Sequence, residues 1–256
     1  MNISESIQSE NRDEARVKAY VISMPDAHVR RESMRSQLDC TGLDWRFFDA
    51  HTTLIDGLSL ERKCWPRVNG RELKNSEIGC YASHYDVMQN FANDNTVDVA
   101  MVFEDDAVID IEYISNVAEI LSLARRYGYI KFNTSLIAPS SLVYIQGRRR
   151  LLRFRKSVYG GLAYVIDKKT ARRFVDHLRK VRRPVDMELD RFWAHGVPIL
   201  CLYQPVAIES SKPTQIGDRS FTVKGWNRVV WKFNNQIEKL RCLFSNLLYD
   251  VKIRKV

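Results

Sequence analysis

Apolar positions follow two different spacings along this chain, and the succession of the two predicts an α/β protein. Short apolar runs of the kind found in buried strands occur at Val17–Ser23 and Val97–Phe103. Apolar residues three and four positions apart predict helices at Ala27–Leu38 and Ser76–Asn93. Strands that alternate with helices in this way indicate a sheet covered by helices.

The same spacings extend this prediction to the rest of the chain. Residues 50–75 lack a clear period and predict a loop with short pieces of structure, and the polar residues 1–16 predict a flexible extension before a folded domain over 17–223. The further predicted helices are Ile111–Tyr127, Lys168–Lys180 and Asp186–His195. The further predicted strands are Trp45–Phe48, Tyr129–Phe132, Tyr159–Ile166, Ile199–Tyr203 and Val206–Ile208, with a hairpin turning near Gly147-Arg148.

The C-terminal residues 224–256 predict one long amphipathic helix. From Trp226 to Val251 the apolar residues recur in steps of four and three, which places them on one helix face. The chain has a net charge of +9, and this segment holds eight Lys and Arg residues against two acids. Three uses of the helix stay open at this point: packing on the domain, lying in an anionic membrane surface, and coiled-coil pairing.

Composition narrows the class of protein. A hydrophobic fraction of 45% and a charged fraction of 28% exclude wholesale disorder. Because the positive charge is concentrated in the C-terminal segment, we expect no nucleic-acid partner. Five scattered cysteines without a C-x-x-C pair argue against a disulfide framework and a zinc cluster. With no signal-peptide pattern and no spanning apolar run, we expect a cytoplasmic protein.

Three consecutive acids follow the strand Val97–Phe103. Residues at the carboxyl end of a strand in an α/β sheet lie where ligands bind, and adjacent carboxylates favour a bound cation because they repel one another. Glu104 and Asp106 point the same way in an extended segment, so the pair predicts a site for a hard divalent cation. The alternative is a solvated acidic turn that caps the following helix.

Two more segments contain candidate chemistry. Glu77, Cys80 and His84 fall on one side of the predicted helix, either facing a ligand or simply packed. Asp186 and Asp190 share a helix face and are candidate general bases, or charges that complement a helix N-terminus.

The glycine pair Gly160-Gly161 fits a backbone that approaches a ligand closely, or a bulge.

Taken in order, these segments resemble glycosyltransferase family 25, which makes lipopolysaccharide and lipooligosaccharide. The resemblance covers about residues 17–210. Its strongest parts are Glu77-Ile78-Gly79-Cys80 with Ser83-His84, and Val102-Phe103-Glu104-Asp105-Asp106-Ala107. Its further parts are Arg30-Arg31 with Met34, Phe48-Asp49-Ala50, Gly160-Gly161-Leu162-Ala163-Tyr164-Val165-Ile166 and Pro184-Val185-Asp186.

The resemblance implies a GT-A-like, Rossmann-type mixed sheet flanked by helices and a UDP-sugar donor, most often UDP-galactose. It implies inverting transfer, forming a β-linkage, to a lipid-linked oligosaccharide. The basic amphipathic helix over 224–256 adds the expectation of a peripheral location at the inner face of the cytoplasmic membrane. Glu104 and Asp106 would hold Mn2+ or Mg2+, and Asp105 would lie near the ribose or donor sugar. Asp186, with Asp190 second, would be the base. The remaining residues that would line or support the donor pocket are Glu77, Ser83, His84, Gly160 and Gly161.

Other interpretations stay open beside the resemblance. No histidine follows His195, so a third metal ligand is missing unless Glu209 serves, and metal-independent catalysis is an alternative. The acidic cluster also fits a metal-dependent phosphoryl-transfer or nucleotide-hydrolysing enzyme, although such enzymes usually hold two metals. The basic helix fits a non-enzymatic protein that binds anionic membranes.

Overall fold

The computed structural model describes residues 16–210 and 224–253, so all of the predicted extension except Arg16 lies outside the described residues. A large mixed sheet with helices against both faces confirms the predicted α/β class. The strands are β1 (Val17–Ser23), β2 (Asp44–Asp49), β3 (Ser59–Leu60), β4 (Val99–Glu104), β5 (Ala107–Ile109), β6 (Tyr129–Lys131), β7 (Ser140–Gln146), β8 (Arg149–Phe154), β9 (Ala163–Asp167), β10 (Lys180–Val181), β11 (Ile199–Tyr203) and β12 (Ala207–Glu209). The helices are α1 (His28–Leu38), α2 (Trp65–Val68), α3 (Asn75–Asn93), α4 (Ile111–Ile114), α5 (Val117–Tyr127), α6 (Lys168–Leu178), α7 (Val185–Leu189), α8 (Phe192–His195) and α9 (Trp226–Ile253).

The main sheet has eight strands in the order β2-β1-β4-β9-β6-β11-β8-β7. Strands β2, β1 and β4 run parallel, and β9 is antiparallel to both β4 and β6. Two small ladders lie outside it, β10 with β3 and β12 with β5. The second of these matters for the site, because it pairs Glu209 with Ala107, directly after the acidic cluster.

The core lies on both faces of the sheet. Along β1, Tyr20 and Ile22 pack with α3 and α6 on one face, while Ala19 and Val21 pack with α1 and α5 on the other. This alternation follows from the two-residue period of a strand. A strand buried on both faces is apolar throughout, which is why β1 and β4 stood out in the sequence.

Some predicted boundaries are wrong for local reasons. The helix predicted over 111–127 is two helices, because the Asn116 side chain accepts the Glu119 N–H and starts α5. Strand β9 begins at Ala163 rather than Tyr159, since Tyr159 and Gly160 have positive φ angles of 55° and 82°. The helix predicted over 186–195 is interrupted at Asp190 and Arg191, between α7 and α8.

Helix α9 packs on the rest of the protein through its polar side. It lies against α2 and α8, and its buried described side chains are Cys242 and Asn246. Eight large apolar side chains, all more than half exposed, form what we call the outer face of α9: Trp226, Val229, Phe233, Leu240, Leu243, Phe244, Leu247 and Leu248. Within the described ranges, the structure contains no helix with the length and apolar content needed to cross a bilayer.

Candidate functional site

A cleft of about 540 Å3 opens at the carboxyl edge of the parallel strands. Strands β1 and β4 end side by side at Ser23 and Glu104, because they run parallel with Ile22 paired to Glu104. Parallel strands bring their carboxyl ends to one edge of the sheet, so the segments that follow them converge there. Nine of the ten predicted site residues line this cleft: Glu77, Ser83, His84, Glu104, Asp105, Asp106, Gly160, Gly161 and Asp186.

Asp105 is fixed by two neighbours. Its carboxylate accepts a hydrogen bond from Ser23 Oγ at 2.7 Å and pairs with Arg30 at 3.1 Å. Only 8% of Asp105 is exposed, so this pairing compensates for the loss of hydration. Asp105 therefore ties the end of β4 to β1 and α1, and its predicted place beside the donor sugar stays a prediction.

Asp106 is the carboxylate with the most perturbed acidity in the cluster. Burial and the negative charges of Glu104, Asp105 and Glu209 raise its pKa from 3.8 to about 6. Its Oδ1 atom is buried and has no hydrogen-bond partner within the described residues. An unpaired, buried carboxylate oxygen next to like charges is costly unless a cation binds there.

Glu209 reaches this cluster through the β5–β12 ladder, and the adjacent Ser210 N–H bonds to the Asp106 carbonyl at 2.8 Å. Sequence separation hides the proximity, because more than a hundred residues lie between the two segments. Three carboxylates, from Glu104, Asp106 and Glu209, thus line one cleft. Oxygen donors of this kind are the ligands that Mg2+ and Mn2+ prefer.

The His84 side chain contacts Glu104 and helps to orient it. The His84 ring is fully buried, with Nδ1 3.1 Å from the Tyr164 hydroxyl and Nε2 3.3 Å from Glu104 Oε1. Cys80, one turn earlier on α3, brings its sulfur within 4.8 Å of the His84 and Glu104 ligand atoms. We expected no zinc cluster because the sequence lacks C-x-x-C pairs. That pattern takes no account of ligands on separate elements, and here the fold brings such ligands together from α3 and β4. This mixed set suits Zn2+, whereas the oxygen set suits Mn2+ or Mg2+.

Glu77 and Ser83 line the cleft mainly as structural supports. Glu77 is buried, pairs with both terminal nitrogens of Arg71 and accepts the Lys74 N–H at 3.0 Å, which caps α3. The helix begins at Asn75, one residue before the predicted start at Ser76. Ser83 Oγ accepts the His51 N–H at 2.8 Å.

Gly79 permits the close approach that the hydrogen bond from the His51 N–H to Ser83 Oγ requires. A Cβ atom at position 79 would lie 2.3 Å from the His51 carbonyl oxygen, so the glycine lets the segment after β2 rest directly on α3. His51 in turn contacts Asp86 at 2.8 Å. The glycine therefore approaches another backbone here.

The segment 158–161 forms a wall of the cleft. Asp186 Oδ2 accepts the Gly160 N–H at 3.2 Å, and Asp186 Oδ1 accepts the Met187 N–H at 2.8 Å. Burial, helped by the nearby charge of Asp190, raises the pKa of Asp186, although Lys131 opposes the shift. Asp186 is half-buried and oriented, as a general base must be. At Gly161, a Cβ would lie 3.3 Å from Glu104 Oε1, so this glycine keeps the space above Glu104 open.

Asp190 lies outside the cleft lining. Its side chain is completely buried and accepts hydrogen bonds from the Val158 and Tyr159 N–H groups, both at 2.8 Å. Its other oxygen pairs with Lys131 at 2.9 Å. Because its side chain is completely buried and lies outside the cleft lining, Asp190 holds the wall in place, and Asp186 is the candidate base that reaches the cleft.

The charge of the cleft is strongly negative. Its lining contains six carboxylates, Glu77, Glu104, Asp105, Asp106, Asp186 and Glu209, but one Arg or Lys, Arg30. Glu77 and Asp105 are neutralised by Arg71 and Arg30, which leaves the other four. An anionic phosphate ligand would meet repulsion here without an intervening cation. The fold and the site thus define an α/β protein with a ligand cleft suited to a divalent cation.

Comparison with known proteins identifies the family. Residues 16–189 match the sequence profile described as "Glycosyltransferase family 25 (LPS biosynthesis protein)". The chain belongs to glycosyltransferase family 25, as its motifs predicted.

Its relatives include a bacterial and an insect protein. Lipooligosaccharide biosynthesis protein lic2B of Haemophilus influenzae is 24% identical over 62% of this chain and 62% of its own length. A glycosyltransferase 25 family member of Aedes aegypti is 28% identical over 61% of this chain but only 27% of its own length. The chain therefore spans less than two thirds of these relatives.

Solved structures are more distant. A glycosyltransferase involved in glycosylation of the major capsid of PBCV-1 aligns with 61% of this chain and 62% of its own, at 6% identity and a TM-score of 0.37. A 4-diphosphocytidyl-2C-methyl-D-erythritolsynthase from Anaerococcus prevotii aligns with 78% and 94%, at 10% identity and a TM-score of 0.40. These similarities assign a role to no residue.

Proposed function

We propose that this protein transfers a hexose, galactose first among the candidates, from a UDP-sugar to a lipid-linked oligosaccharide in lipopolysaccharide or lipooligosaccharide biosynthesis. Transfer would invert the anomeric centre and form a β-linkage. The observation that carries the proposal is the cleft, which is lined by the carboxylates of Glu104, Asp106 and Glu209. Asp106 Oδ1 is buried there without a hydrogen-bond partner among the described residues, and Asp186 accepts the Gly160 N–H on the same cleft. Family membership supports the reaction class.

The cation is proposed to be Mn2+ or Mg2+, held by Glu104 and Asp106 with Glu209 as the third protein ligand. The unpaired Asp106 Oδ1 and the raised pKa of Asp106 support this assignment, since a bound cation would pair that oxygen and offset the burial and the like charges that raise the pKa. When bound, such a cation neutralises negative charge on a leaving diphosphate. His84 and Tyr164 would hold Glu104 in the orientation that this role requires.

Asp186 is proposed as the base. The acceptor hydroxyl would give its proton to the Asp186 carboxylate as its oxygen bonds to the anomeric carbon of the donor sugar, while the bond from that carbon to the UDP oxygen breaks. The Gly160 and Met187 N–H groups keep the carboxylate directed into the cleft. Its raised pKa brings it nearer to neutral pH, which improves proton transfer from a hydroxyl.

A donor screen tests the proposal directly. Purified protein is heated with UDP-galactose, UDP-glucose or their N-acetyl forms, with and without Mn2+, and UDP release is measured with an oligosaccharide acceptor. We expect one donor to stabilise the protein in a metal-dependent way and to release UDP. Release of inorganic phosphate instead would favour the phosphoryl-transfer alternative.

The Asp106→Ala variant tests whether the cation site is needed for transfer but not for folding. We expect the variant to lose transfer entirely yet unfold cooperatively, with Glu112→Gln, an exposed acid on α4, as the matched control. Near-normal transfer by Asp106→Ala would contradict the metal site. A Cys80→Ser variant with unchanged Mn2+ dependence would assign the cation to the oxygen ligands.

A further inference from the structure

The outer face of α9 is the largest grouping of exposed apolar side chains in the described residues. It contains eight of the seventeen large apolar side chains that the structure leaves exposed, and Trp226 and Leu248 are 74% and 72% exposed. Soluble proteins rarely leave such a continuous apolar surface uncovered unless something binds it. Core packing does not account for the face, because α9 meets the protein with its opposite side.

That opposite side, which we call the inner face, is held by polar and charged contacts. Glu238 accepts hydrogen bonds from Arg191 Nε at 3.0 Å and Trp193 Nε1 at 2.8 Å. Asn246 accepts one from Arg153 Nη2 at 2.8 Å, and Asp250 pairs with Arg153 and Arg155. Most of the apolar stripe that the sequence predicted is thus directed away from the core: Val230 and Ile237 are half-buried, but Trp226, Phe233, Leu240, Phe244 and Leu247 are exposed and available to a second surface.

The charges of α9 indicate what that surface is. Glu238 and Asp250 are the acids of the segment 224–253, and both are neutralised against the core. The outward charges are therefore cations: Lys224, Arg228, Lys232, Lys239 and Arg241 are all exposed. At about 3.6 residues per turn, Lys232 and Lys239 flank the outer face on one side and Arg241 flanks it on the other.

We propose that the outer face of α9 docks into the surface of an anionic lipid bilayer. Phe233, Leu240, Phe244 and Leu247 would enter the boundary between headgroups and acyl chains, while the flanking cations meet anionic headgroups. A second copy of this chain fits less well, because two outer faces in contact would bring rows of like charge together without acids to pair them.

The proposed bilayer contact also has a defined relation to the cleft. The Arg191 that holds Glu238 also pairs with Glu188 at 2.9 Å, on the same short helix α7 that contains Asp186. One layer of ion pairs therefore separates the surface-bound helix from the proposed base. The docking proposal depends on the proposed function in one respect only, which is that the bilayer surface is where the enzyme would meet its lipid-linked acceptor.

Vesicle sedimentation tests the docking. Wild-type protein is mixed with vesicles of phosphatidylcholine alone or of equimolar phosphatidylcholine and phosphatidylglycerol. We expect binding to the anionic vesicles that falls as salt rises. Phe244→Glu should weaken it at least about tenfold, since it replaces an exposed apolar side chain that would enter the bilayer with a charged one. Lys232→Gln and Lys239→Gln should each weaken it about fivefold.

Val29→Glu is the matched control, because it also places an acid at an exposed apolar helix position, on α1. It should bind like the wild type. Equal binding by Phe233→Glu/Phe244→Glu and the wild type would overturn the proposal. A wild-type dimer that this double variant dissociates, together with no vesicle binding, would overturn it in favour of self-association.

The result is separable from the proposed function. Donor-dependent stabilisation and transfer to a soluble acceptor should be unchanged in Phe244→Glu, since the outer face lies outside the cleft. Vesicle binding without any donor effect would leave the docking surface standing while the proposed transfer fails. Donor turnover without vesicle binding would support the proposed transfer and overturn the docking proposal.

Discussion

Asp106 shows how one residue can be unfavourable for stability and suited to binding. Its folded pKa, about 6, lies above the ordinary 3.8, so the folded state binds a proton more tightly than the unfolded state does. Stability from this group is therefore gained as pH falls from about 7 to 4, and it is lost as pH rises. At neutral pH the ionised carboxylate costs about 2 kcal/mol, after allowance for its partial exposure.

Asp106→Asn should therefore stabilise the metal-free protein at pH 7.5, by about 2 kcal/mol in urea unfolding. The advantage should shrink as pH falls through about 6 and be mostly gone by about pH 4, because the wild-type carboxyl becomes protonated in the folded state. Added Mn2+ should stabilise the wild type but leave the variant unchanged. A variant that is less stable than the wild type at every pH would show that Asp106 has a structural partner instead.

Asp186 makes a different prediction, about rate. Asp186→Asn should lower kcat at least about a hundredfold while the KM for the donor changes little, because the base acts on the acceptor. The acidic limb of the wild-type pH profile should also disappear from the residual activity. Asp176→Asn, an exposed acid on α6, is the control. An unchanged pH profile in the Asp186 variant would assign the limb to another group.

At the level of elements, the periodicity of apolar residues predicted the strands that converge on the site. It failed to predict elements and contacts that depend on pairing between distant segments. β1 matched its predicted bounds because it is buried on both faces, whereas β4 begins at Val99 rather than Val97 and extends to include Glu104. The β5–β12 ladder could not be predicted, since a three-residue pairing between segments about a hundred residues apart leaves no period in the sequence. Asp190 looked like Asp186 for the same reason: helical spacing does not reveal that Lys131, far along the chain, pairs with it.

The role that we assign to Asp190 is therefore to stabilise the 158–161 segment. Asp190→Asn leaves the buried Lys131 charge without its carboxylate, so we expect a loss of about 3–5 kcal/mol in urea unfolding. Lys131→Met/Asp190→Asn should recover part of that loss, because no unpaired charge remains. The Asp176→Asn control should change stability by less than about 0.5 kcal/mol. A loss under about 1 kcal/mol for Asp190→Asn would mean that the 158–161 wall is held by other contacts.

At the scale of the whole molecule, α9 is attached by charges rather than by apolar packing. Its residue in a hydrophobic core cluster is Cys242, whereas Glu238, Asn246 and Asp250 make the directional contacts among its described side chains. Burial alone would raise the pKa of Glu238, but Arg191 and the Trp193 hydrogen bond outweigh it and lower the pKa. A group with a lowered pKa stabilises the folded state at neutral pH, and that contribution is lost as pH falls through the folded value.

Hydrogen exchange of the full chain can test this attachment. Glu238→Gln should speed exchange in α9 and in α7–α8, because Arg191 joins them, and leave α1 unchanged. Lys239→Gln, the exposed neighbour, should change none of these. In the wild type, α9 should lose protection before α1 does as acidification protonates Glu238, whose pKa lies below its ordinary value of 4.5. Equal exchange of α9 in the wild type and Glu238→Gln would mean that Asn246 and Asp250 suffice to hold the helix, with the cleft independent of it.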